Sequence, residues 1–330
     1  MTTGDAEYLS TTFLEELDRR ATWPRQVAST GVGEYDALLD GGYREGLHVL
    51  AGLPGAGKTS FALALAARSA QRGIDVAYLT LEQPKRELWL RVFDAFAVSE
   101  SGDGLSGQAD ATTFQDSMPS SIVRRSKAWT PVHALSHRLQ IIEGGDALTL
   151  ERVGDEVDRL HRFTQQVCAD SGVPPLVIVD YLQLVPAQDT SRTEPRERVG
   201  RVVGLLQLRL AREQGATVLA LSSINRASYD LTGSDPRATS GGGLASLKEA
   251  GEIEYTASTV TLLTTEGSQR AHARAPSSSS PSSQRRQLLV VKNRFGETGR
   301  ADASWDPHTN TWDSGRSLDA FDRTVEELRR

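Results

Sequence analysis

The chain has 330 residues, of which 38% are hydrophobic and 24% are charged, and its formal net charge at pH 7 is −6. This composition is typical of a globular protein. It excludes a chain that is basic throughout, so any cations that bind nucleic acid must be confined to particular loops. No apolar run has the length of a membrane span, and Met1–Asp5 lacks the pattern of a signal peptide. The single cysteine, Cys168, excludes an internal disulfide, so we expect a cytoplasmic protein.

The predicted organisation is one core domain with a short segment on either side. Apolar residues near the N-terminus recur at helical spacing, so residues 1–29 are predicted to be a helical extension followed by a linker. Residues 30–315 are predicted to form the core domain and residues 316–330 a helical tail. Within the core, composition predicts a flexible insert at about 99–121 and a disordered Ser/Pro-rich insert at about 267–286.

The strongest signal in the chain is the segment Gly52–Thr59, which has the pattern G-x-x-x-x-G-K-T of a P-loop that binds a nucleoside triphosphate. An apolar run that predicts a strand precedes it, and a run of good helix formers follows it. The glycines let backbone N–H groups surround the phosphates, and the N-terminus of the helix adds partial positive charge. Lys58 is predicted to reach the β- and γ-phosphates, and the Thr59 hydroxyl to bind Mg²⁺. The residues predicted to contact ATP are Gly52, Pro54, Gly55, Ala56, Gly57, Lys58, Thr59 and Ser60.

Apolar runs and helical patterns alternate along the rest of the chain. After the P-loop strand at 47–51, strands are predicted at 74–80, 139–142, 176–180, 216–221, 259–263 and 287–292. Helices are predicted from residue 60, at 85–97, near 149–170 and at about 196–213. This alternation predicts an α/β fold, with a mostly parallel, twisted sheet flanked by helices and a ligand at the carboxyl ends of the strands.

Two acidic residues are candidates for ATP hydrolysis. Asp180 ends a continuous apolar run and has the form of a Walker B acid that holds Mg²⁺ directly or through water. Glu82 follows the strand predicted at 74–80. If that strand lies close to the P-loop strand, the carboxylate faces the γ-phosphate and can polarise the attacking water. The alternative for Glu82 is an ordinary surface glutamate.

The order of several further motifs resembles the C-terminal motor domain of DnaB-type replicative helicases, a branch of the RecA-like P-loop ATPases. The resemblance extends over about residues 30–312 and is carried, besides the P-loop, by Thr80–Pro84, Val179–Leu184, Leu221–Arg226, Leu247–Glu254 and Lys292–Gly299. It implies a RecA-like core. It also implies a ring-shaped oligomer, expected to be a hexamer, that binds ATP between subunits and single-stranded DNA along its centre.

The resemblance also implies roles for individual residues. Glu82 corresponds to the catalytic glutamate and Asp180 to the Walker B acid, and both act beside Lys58. Lys292 and Arg294 correspond to cations that reach the ATP site of the neighbouring subunit. The loops after Asp180 and after Asn225 face the pore in this family, and the cations available there are Arg192, Arg196, Arg226, Arg237 and Lys248. Contacts of this kind with the phosphate backbone are independent of sequence. Each of these cations is equally well explained as solvated loop charge.

Three departures from the family pattern shape the functional prediction. Ser223 stands where the family has a glutamine, Tyr255–Ser258 stands where it has an acidic pair, and we expect no collar domain before the motor. We therefore predict an accessory or mobile-element helicase or translocase rather than a housekeeping one. A RadA-like recombination ATPase is an alternative, because its family also carries K-N-R-F-G. A second alternative, which Ser223 keeps open, is an ATP-dependent oligomeric switch that does not move along DNA.

Overall fold

A computed structural model of the protein describes residues 27–99, 120–144, 159–160, 162–167, 174–180, 182, 195–224, 251–265, 283–307 and 310–313, together with Leu14 and Asp18. Several predictions fall outside these residues. They are the N-terminal extension apart from the helical Leu14 and Asp18, most of the two inserts, most of the helix near 149–170, and the tail at 316–330. No helix in the described ranges is long and apolar enough to cross a membrane.

The described part of the chain contains one nine-stranded sheet. Its strands, in chain order, are β1 (Gly46–Gly52), β2 (Val76–Thr80), β3 (Leu139–Glu143), β4 (Leu176–Asp180), β5 (Thr217–Ser223), β6 (Thr259–Thr265), β7 (Gln284–Asn293), β8 (Gly299–Asp306) and β9 (Thr311–Asp313). Their order across the sheet is β3-β2-β4-β5-β1-β6-β7-β8-β9. The strands from β3 to β6 in this order pair in parallel, and β7, β8 and β9 are added antiparallel at one edge.

Helices cover both faces of this sheet. They are α1 (Gly33–Leu38), α2 (Lys58–Gln71), α3 (Lys85–Ser99), α4 (Ser120–Arg125), α5 (Trp129–Leu135), α6 (Pro195–Leu205) and α7 (Gly251–Thr256), and a π-helical segment, Leu206–Arg212, continues α6. The predicted fold class, a mostly parallel sheet flanked by helices, is therefore confirmed. All seven predicted strands are present, whereas β8 and β9 were not predicted.

The predicted boundaries of the two inserts are wrong at their C-terminal ends. Helix α4 begins at Ser120, inside the first predicted insert, and β7 begins at Gln284, inside the second. The error in the second insert has a clear cause. Arg286 looks like a solvated residue in the sequence, but its side chain is 6% exposed because its polar atoms have partners inside the protein.

The parallel strands are buried on both faces, which explains their continuous apolar sequences. On β1, Leu50 faces the side covered by α2, where Phe61 packs, while Val49 faces the side covered by α6 and the π-helical segment, where Val203 and Leu210 pack. The burial of β1 on both sides fixes its position at the centre of the sheet. The loop that leaves β1 is thereby held between the two layers of helices.

One buried polar group lies at the start of β1. His48 is 1% exposed, and its Nε2 donates a hydrogen bond to the carbonyl oxygen of Arg44 at 2.7 Å. Since a carbonyl can only accept, Nδ1 is the unprotonated nitrogen and accepts from the Thr259 hydroxyl at 2.8 Å. Burial lowers the pKa of His48 to about 4, with Arg44 contributing both a raising hydrogen bond and a lowering charge. His48 is therefore neutral in the folded protein.

Because of His48, we expect the free energy of unfolding to decrease as the pH is lowered. Its folded pKa of about 4 lies below its ordinary value of 6.5, so the unfolded chain binds more protons between these values. The contribution is complete above pH 6.5, is lost as the pH falls toward 4, and amounts to about 3 kcal/mol. Urea unfolding from about pH 7.5 to about pH 4.5 measures it.

In that experiment, His48→Gln should flatten the pH dependence, because the variant has no group there to protonate. His137→Gln, which changes an exposed histidine on the surface, is the matched control and should keep the wild-type slope. Equal slopes for wild type and His48→Gln would contradict the assignment.

Candidate active site

The P-loop joins the carboxyl end of β1 to the N-terminus of α2. Gly55 and Gly57 adopt φ angles of +79° and +101°, which allow the chain to turn before the helix begins at Lys58. The Lys58 ammonium donates to the carbonyl oxygens of Gly52 at 2.9 Å and Leu53 at 3.0 Å. This places the cation on the inner side of the loop.

The P-loop lines a cavity of about 570 Å³ at the carboxyl edge of the parallel strands. Its described lining residues are Pro54, Gly55, Gly57, Lys58, Thr59, Ser60, Glu82, Gln83, Arg91, Asp94, Asp180, Ser223, Trp305, Pro307 and Asn310. Six of the eight residues predicted to contact ATP are in this set. The other two, Gly52 and Ala56, are buried and do not line the cavity.

Asp180 is a desolvated carboxylate held by two hydroxyl groups. It ends β4, is 2% exposed, and accepts a hydrogen bond at Oδ2 from the Tyr78 hydroxyl at 2.8 Å. Burial raises the pKa of Asp180, while hydrogen bonds from Tyr78 and Thr59 and the charge of Lys58 lower it. The contact with Thr59 sets a carboxylate and a hydroxyl side by side at the start of α2.

The side-chain oxygens of Asp180 and Thr59 are suitable ligands for a divalent cation that also binds phosphate oxygens. Mg²⁺ is bound in such sites by one or two protein oxygens, and waters and phosphate oxygens complete its octahedron. Among the described residues, no three His, Cys, Asp or Glu side chains form a cluster that would hold a metal by themselves. Thr59 and Asp180 therefore fit the type of site predicted from the sequence.

Glu82 lines the same cavity, but not for the reason that the sequence suggested. The strand before it, β2, is not a neighbour of the P-loop strand, since β4 and β5 lie between them. Two local contacts position Glu82 instead. The Leu81 N–H donates to the Asp180 carbonyl at 2.7 Å, and the Thr80 hydroxyl donates to the Gln83 carbonyl at 2.7 Å, so the chain turns at the end of β2 beside Asp180.

The α2 helix completes the arrangement by crossing the sheet. It packs on β2, β4 and β5 as well as β1, and so carries Lys58 and Thr59 toward the acids. Burial lowers the pKa of Lys58, and the nearby charges of Asp180 and Glu82 oppose this effect. A cation and two carboxylates thus act on one another within one cavity.

Lys292 and Arg294 lie elsewhere. In the antiparallel pairing of β6 with β7, Val260 faces Lys292 and Thr259 faces Asn293, so these cations are at the amino edge of the parallel strands. Arg294 is exposed and donates a hydrogen bond to the Tyr255 carbonyl. Neither cation is among the described residues that line the cavity.

The predicted DNA-binding cations cannot be placed from the described residues. Arg192, Arg226, Arg237 and Lys248 lie outside the described ranges, and Arg196 is on α6 with its side chain outside the description. Their proposed contacts therefore stay predictions.

Sequence reasoning missed the contribution of the antiparallel strands to the site. The buried Arg286 of β7 donates from Nε to the Ala56 carbonyl in the P-loop at 3.0 Å. Its guanidinium lies 4.7 Å from the ring centroid of Trp305 on β8, and Trp305 Nε1 donates to the Ser60 hydroxyl at 3.0 Å. Trp305 also stacks on Trp312 of β9, with centroids 5.6 Å apart and planes at 15°. The two tryptophans around the Asp-Pro turn were the available signal for a hairpin.

Two residues of α3, Arg91 and Asp94, were also missed. They are three positions apart and so lie on the same side of the helix. No spacing in the sequence indicates that this side of α3 faces the P-loop.

Comparisons with known proteins identify a family and several similar proteins. The family described as the DnaB-like helicase C-terminal domain matches residues 28–314. Replicative DNA helicase DnaB of Synechocystis is 28% identical over 253 residues, which are 75% of this chain and 26% of the relative. The DnaB of Leifsonia xyli is 28% identical over 275 residues, which are 82% of this chain and 52% of the relative. The chain thus spans between about a quarter and a half of the length of these relatives.

Two solved structures share the fold. One, described as an ATPase domain, superposes with a TM-score of 0.64 at 19% identity, covering 94% of this chain and 98% of that one. A DnaB-like replicative helicase, solved in a study of its interactions with primase, has a TM-score of 0.63 at 20% identity, covering 93% of this chain and 66% of that one.

A pair of P-loop variants tests the contact between the loop and the tryptophans. Both Gly55 and Gly57 have positive φ, so alanine strains the backbone at either position by about 1–2 kcal/mol. A Cβ on Gly57 would also lie 3.1 Å from Trp312 and 3.4 Å from Trp305, whereas a Cβ on Gly55 meets nothing within 4 Å. We expect Gly57→Ala to lower the free energy of unfolding by about 1–3 kcal/mol more than Gly55→Ala, measured by urea unfolding. Equal losses would show that the tryptophans do not confine the loop.

Proposed function

The chain belongs to the family of DnaB-like helicase C-terminal domains, and from this we propose that it is an ATP-hydrolysing helicase or translocase motor that acts on single-stranded DNA as a ring-shaped oligomer. The observation that carries the proposal is the convergence of four side chains on one cavity. Lys58, Thr59, Glu82 and Asp180 come from the start of α2 and from the ends of two different strands, and all four line it. Phosphoryl transfer requires this set of groups around a triphosphate.

Each of these groups has a distinct task. The P-loop amides and Lys58 bind the phosphates, and the N-terminus of α2 adds partial positive charge. Thr59 and Asp180 would hold Mg²⁺, which neutralises charge that develops on the phosphate oxygens. Tyr78 orients the Asp180 carboxylate through its 2.8 Å hydrogen bond.

Glu82 is the proposed residue that orients and polarises the attacking water. It lies at the edge of the cavity beside Asp180 and acts electrostatically on Lys58. Its carboxylate belongs to a turn that is fixed by hydrogen bonds at Thr80 and Leu81. A carboxylate that is held in this way can accept a proton from water without a large rearrangement.

The positive charge needed for the transition state is proposed to come from the neighbouring subunit. In the pairing of β1 with β6, Gly52 faces Leu263 and His48 faces Thr259, and Thr259 in turn faces Asn293 of β7. The segment from His48 to Gly52 therefore separates Lys292 and Arg294 from the P-loop by about 13 Å along the strands. A cation at that edge serves a site on another copy of the chain more readily than its own.

The ring and its DNA channel are proposed from the family. Loops that carry Arg192, Arg196, Arg226, Arg237 and Lys248 would contact the phosphate backbone. Because the chain has a net negative charge, its DNA-binding cations are expected to be confined to such loops. We further propose an accessory or mobile-element role in the cytoplasm. Ser223, which lines the cavity where the family has a glutamine, supports a motor that departs from the replicative type.

The function is tested by measuring ATP turnover with and without single-stranded DNA, together with strand displacement on a forked duplex. We expect DNA to stimulate turnover, and the stimulation to weaken as salt is raised, since phosphate contacts release counterions. Displacement of the strand supports the helicase. Stimulation without displacement would favour a RadA-like recombination ATPase. Turnover that is indifferent to DNA would favour a nucleotide-dependent switch.

The proposal that Arg294 acts on the ATP site of the neighbouring subunit is tested by mixing two inactive variants. Arg294→Ala should lower turnover by about a thousandfold or more while ATP affinity changes little, because the cation acts on another subunit's transition state. Glu82→Gln should be inactive because it cannot polarise water. Mixed oligomers should regain part of the activity, because at some interfaces a subunit with an intact Glu82 then meets a subunit with an intact Arg294.

Arg300→Ala is the matched control for this experiment, because Arg300 is exposed on β8 and does not line the cavity. It should turn ATP over at the wild-type rate. The assignment is wrong if Arg294→Ala alone behaves like Arg300→Ala, or if the mixture of Arg294→Ala and Glu82→Gln is as inactive as its parts.

A further inference from the structure

An unpaired polar atom lies on the wall of the cavity opposite the catalytic acids. The Asn310 side chain is 7% exposed, and its Oδ1 has no hydrogen-bond partner within the part of the chain that the structure describes. Nearly all buried polar atoms in native proteins are paired, so an exception of this kind calls for a partner. Asn310 is one of the residues that line the cavity with the P-loop, so a ligand bound there would lie beside its side chain.

The position of Asn310 in the sheet indicates which part of the nucleotide it meets. Asn310 precedes β9 in the turn after β8, on the side of β1 that carries β6 and β7. Asp180 and Glu82 follow β4 and β2, on the other side of β1. In the proposed function the reacting phosphate lies beside these acids. The opposite end of the nucleotide therefore extends toward the turn between β8 and β9.

The neighbours of Asn310 do not supply the missing donor. Trp305, which also lines the cavity, already donates its Nε1–H to Ser60, and contacts with Arg286 and Trp312 fix its ring. Trp312 Nε1 is itself buried, has no partner among the described residues, and is not part of the cavity wall.

The backbone at Asn310 does not require the amide either. Its φ of +52° is left-handed, and glycine serves such a position at least as well as asparagine. The turn therefore accounts for a small or Asn-like residue but not for an amide that is buried on the wall of the cavity.

We propose that Asn310 determines the base specificity of the site by recognising adenine. On its N7 edge, adenine presents its 6-amino group next to N7, a donor beside an acceptor. A side-chain amide complements this pair by accepting at Oδ1 and donating from Nδ2. On that edge hypoxanthine carries an oxygen in place of the amino group and keeps an unprotonated N7, so it presents two acceptors and leaves Oδ1 without a donor. The inference rests on the proposed function, because it requires that the cavity bind a nucleoside triphosphate.

The experiment compares ADP with IDP, which differ in the group at position 6 and in the proton on N1, and only the group at position 6 lies on the N7 edge that Asn310 would recognise. Each is titrated against a fluorescent ADP analogue labelled on the ribose, with Mg²⁺ present and without DNA, so that neither turnover nor assembly on DNA contributes. The wild type should bind ADP about tenfold more tightly than IDP. Asn310→Gly keeps a residue that adopts positive φ and should bind the two nucleotides about equally.

Two further variants complete the test. Asn310→Asp should weaken ADP binding but keep the preference over IDP, because a carboxylate still accepts from the amino group and can no longer donate to the ring nitrogen. Asp40→Gly is the matched control. Asp40 also has a left-handed φ, of +55°, but it does not line the cavity, so its replacement should leave the ratio unchanged.

Each outcome decides a different claim. Equal affinities of the wild type for ADP and IDP, or a full preference in Asn310→Gly, would overturn the role of Asn310 while leaving the nucleotide site intact. Binding of neither nucleotide to the wild type would overturn the proposed function itself. If Asn310→Gly does not fold, Asn310→Asp decides, and an unchanged ADP affinity in that variant rejects the proposal.

Discussion

Parallel pairing of the central strands is the constraint on which the site depends. Strands that run in one direction end at one edge, so β1, β2, β4 and β5 deliver their last residues to a common place. That edge receives the P-loop, Glu82, Asp180 and Ser223, although these groups are far apart in the chain. Strand β7 runs the other way, and the same geometry therefore sends Lys292 and Arg294 to the opposite edge.

The antiparallel strands contribute more than an edge to the sheet. Arg286, Trp305 and Trp312 form a polar and aromatic support behind the P-loop, which contacts the loop at Ala56, Gly57 and Ser60. A glycine-rich loop loses much conformational entropy when it becomes ordered. Support from an independent part of the sheet lets the loop hold its shape before a nucleotide arrives, so less of the binding free energy is needed to order it.

The sequence was sufficient for those features that depend on local pattern. Continuous apolar runs predicted the parallel strands, and the P-loop and Asp180 follow from motifs whose spacing fixes their chemistry. The place of Glu82 beside the P-loop was predicted for the wrong reason, because the order of strands across a sheet is not encoded locally. Arg286 was read as part of a disordered insert, because its partner is a backbone carbonyl 230 positions away. The alternating, short strands β8 and β9 carry too weak a pattern to predict. The position of Asn310 beside the cavity, which depends on these strands, was therefore not predicted either.

Strand β7 touches two nucleotide sites if the subunits form a ring. Near its first residues Arg286 donates a hydrogen bond to the P-loop, and Lys292 and Arg294 lie at its far end, on the opposite edge of the sheet. A paired strand is stiff along its length, so a displacement at one end would be passed to the residues at the other end. In the proposed ring, the sheet would then couple a change at the P-loop of one subunit to the cations that are proposed to serve the next subunit.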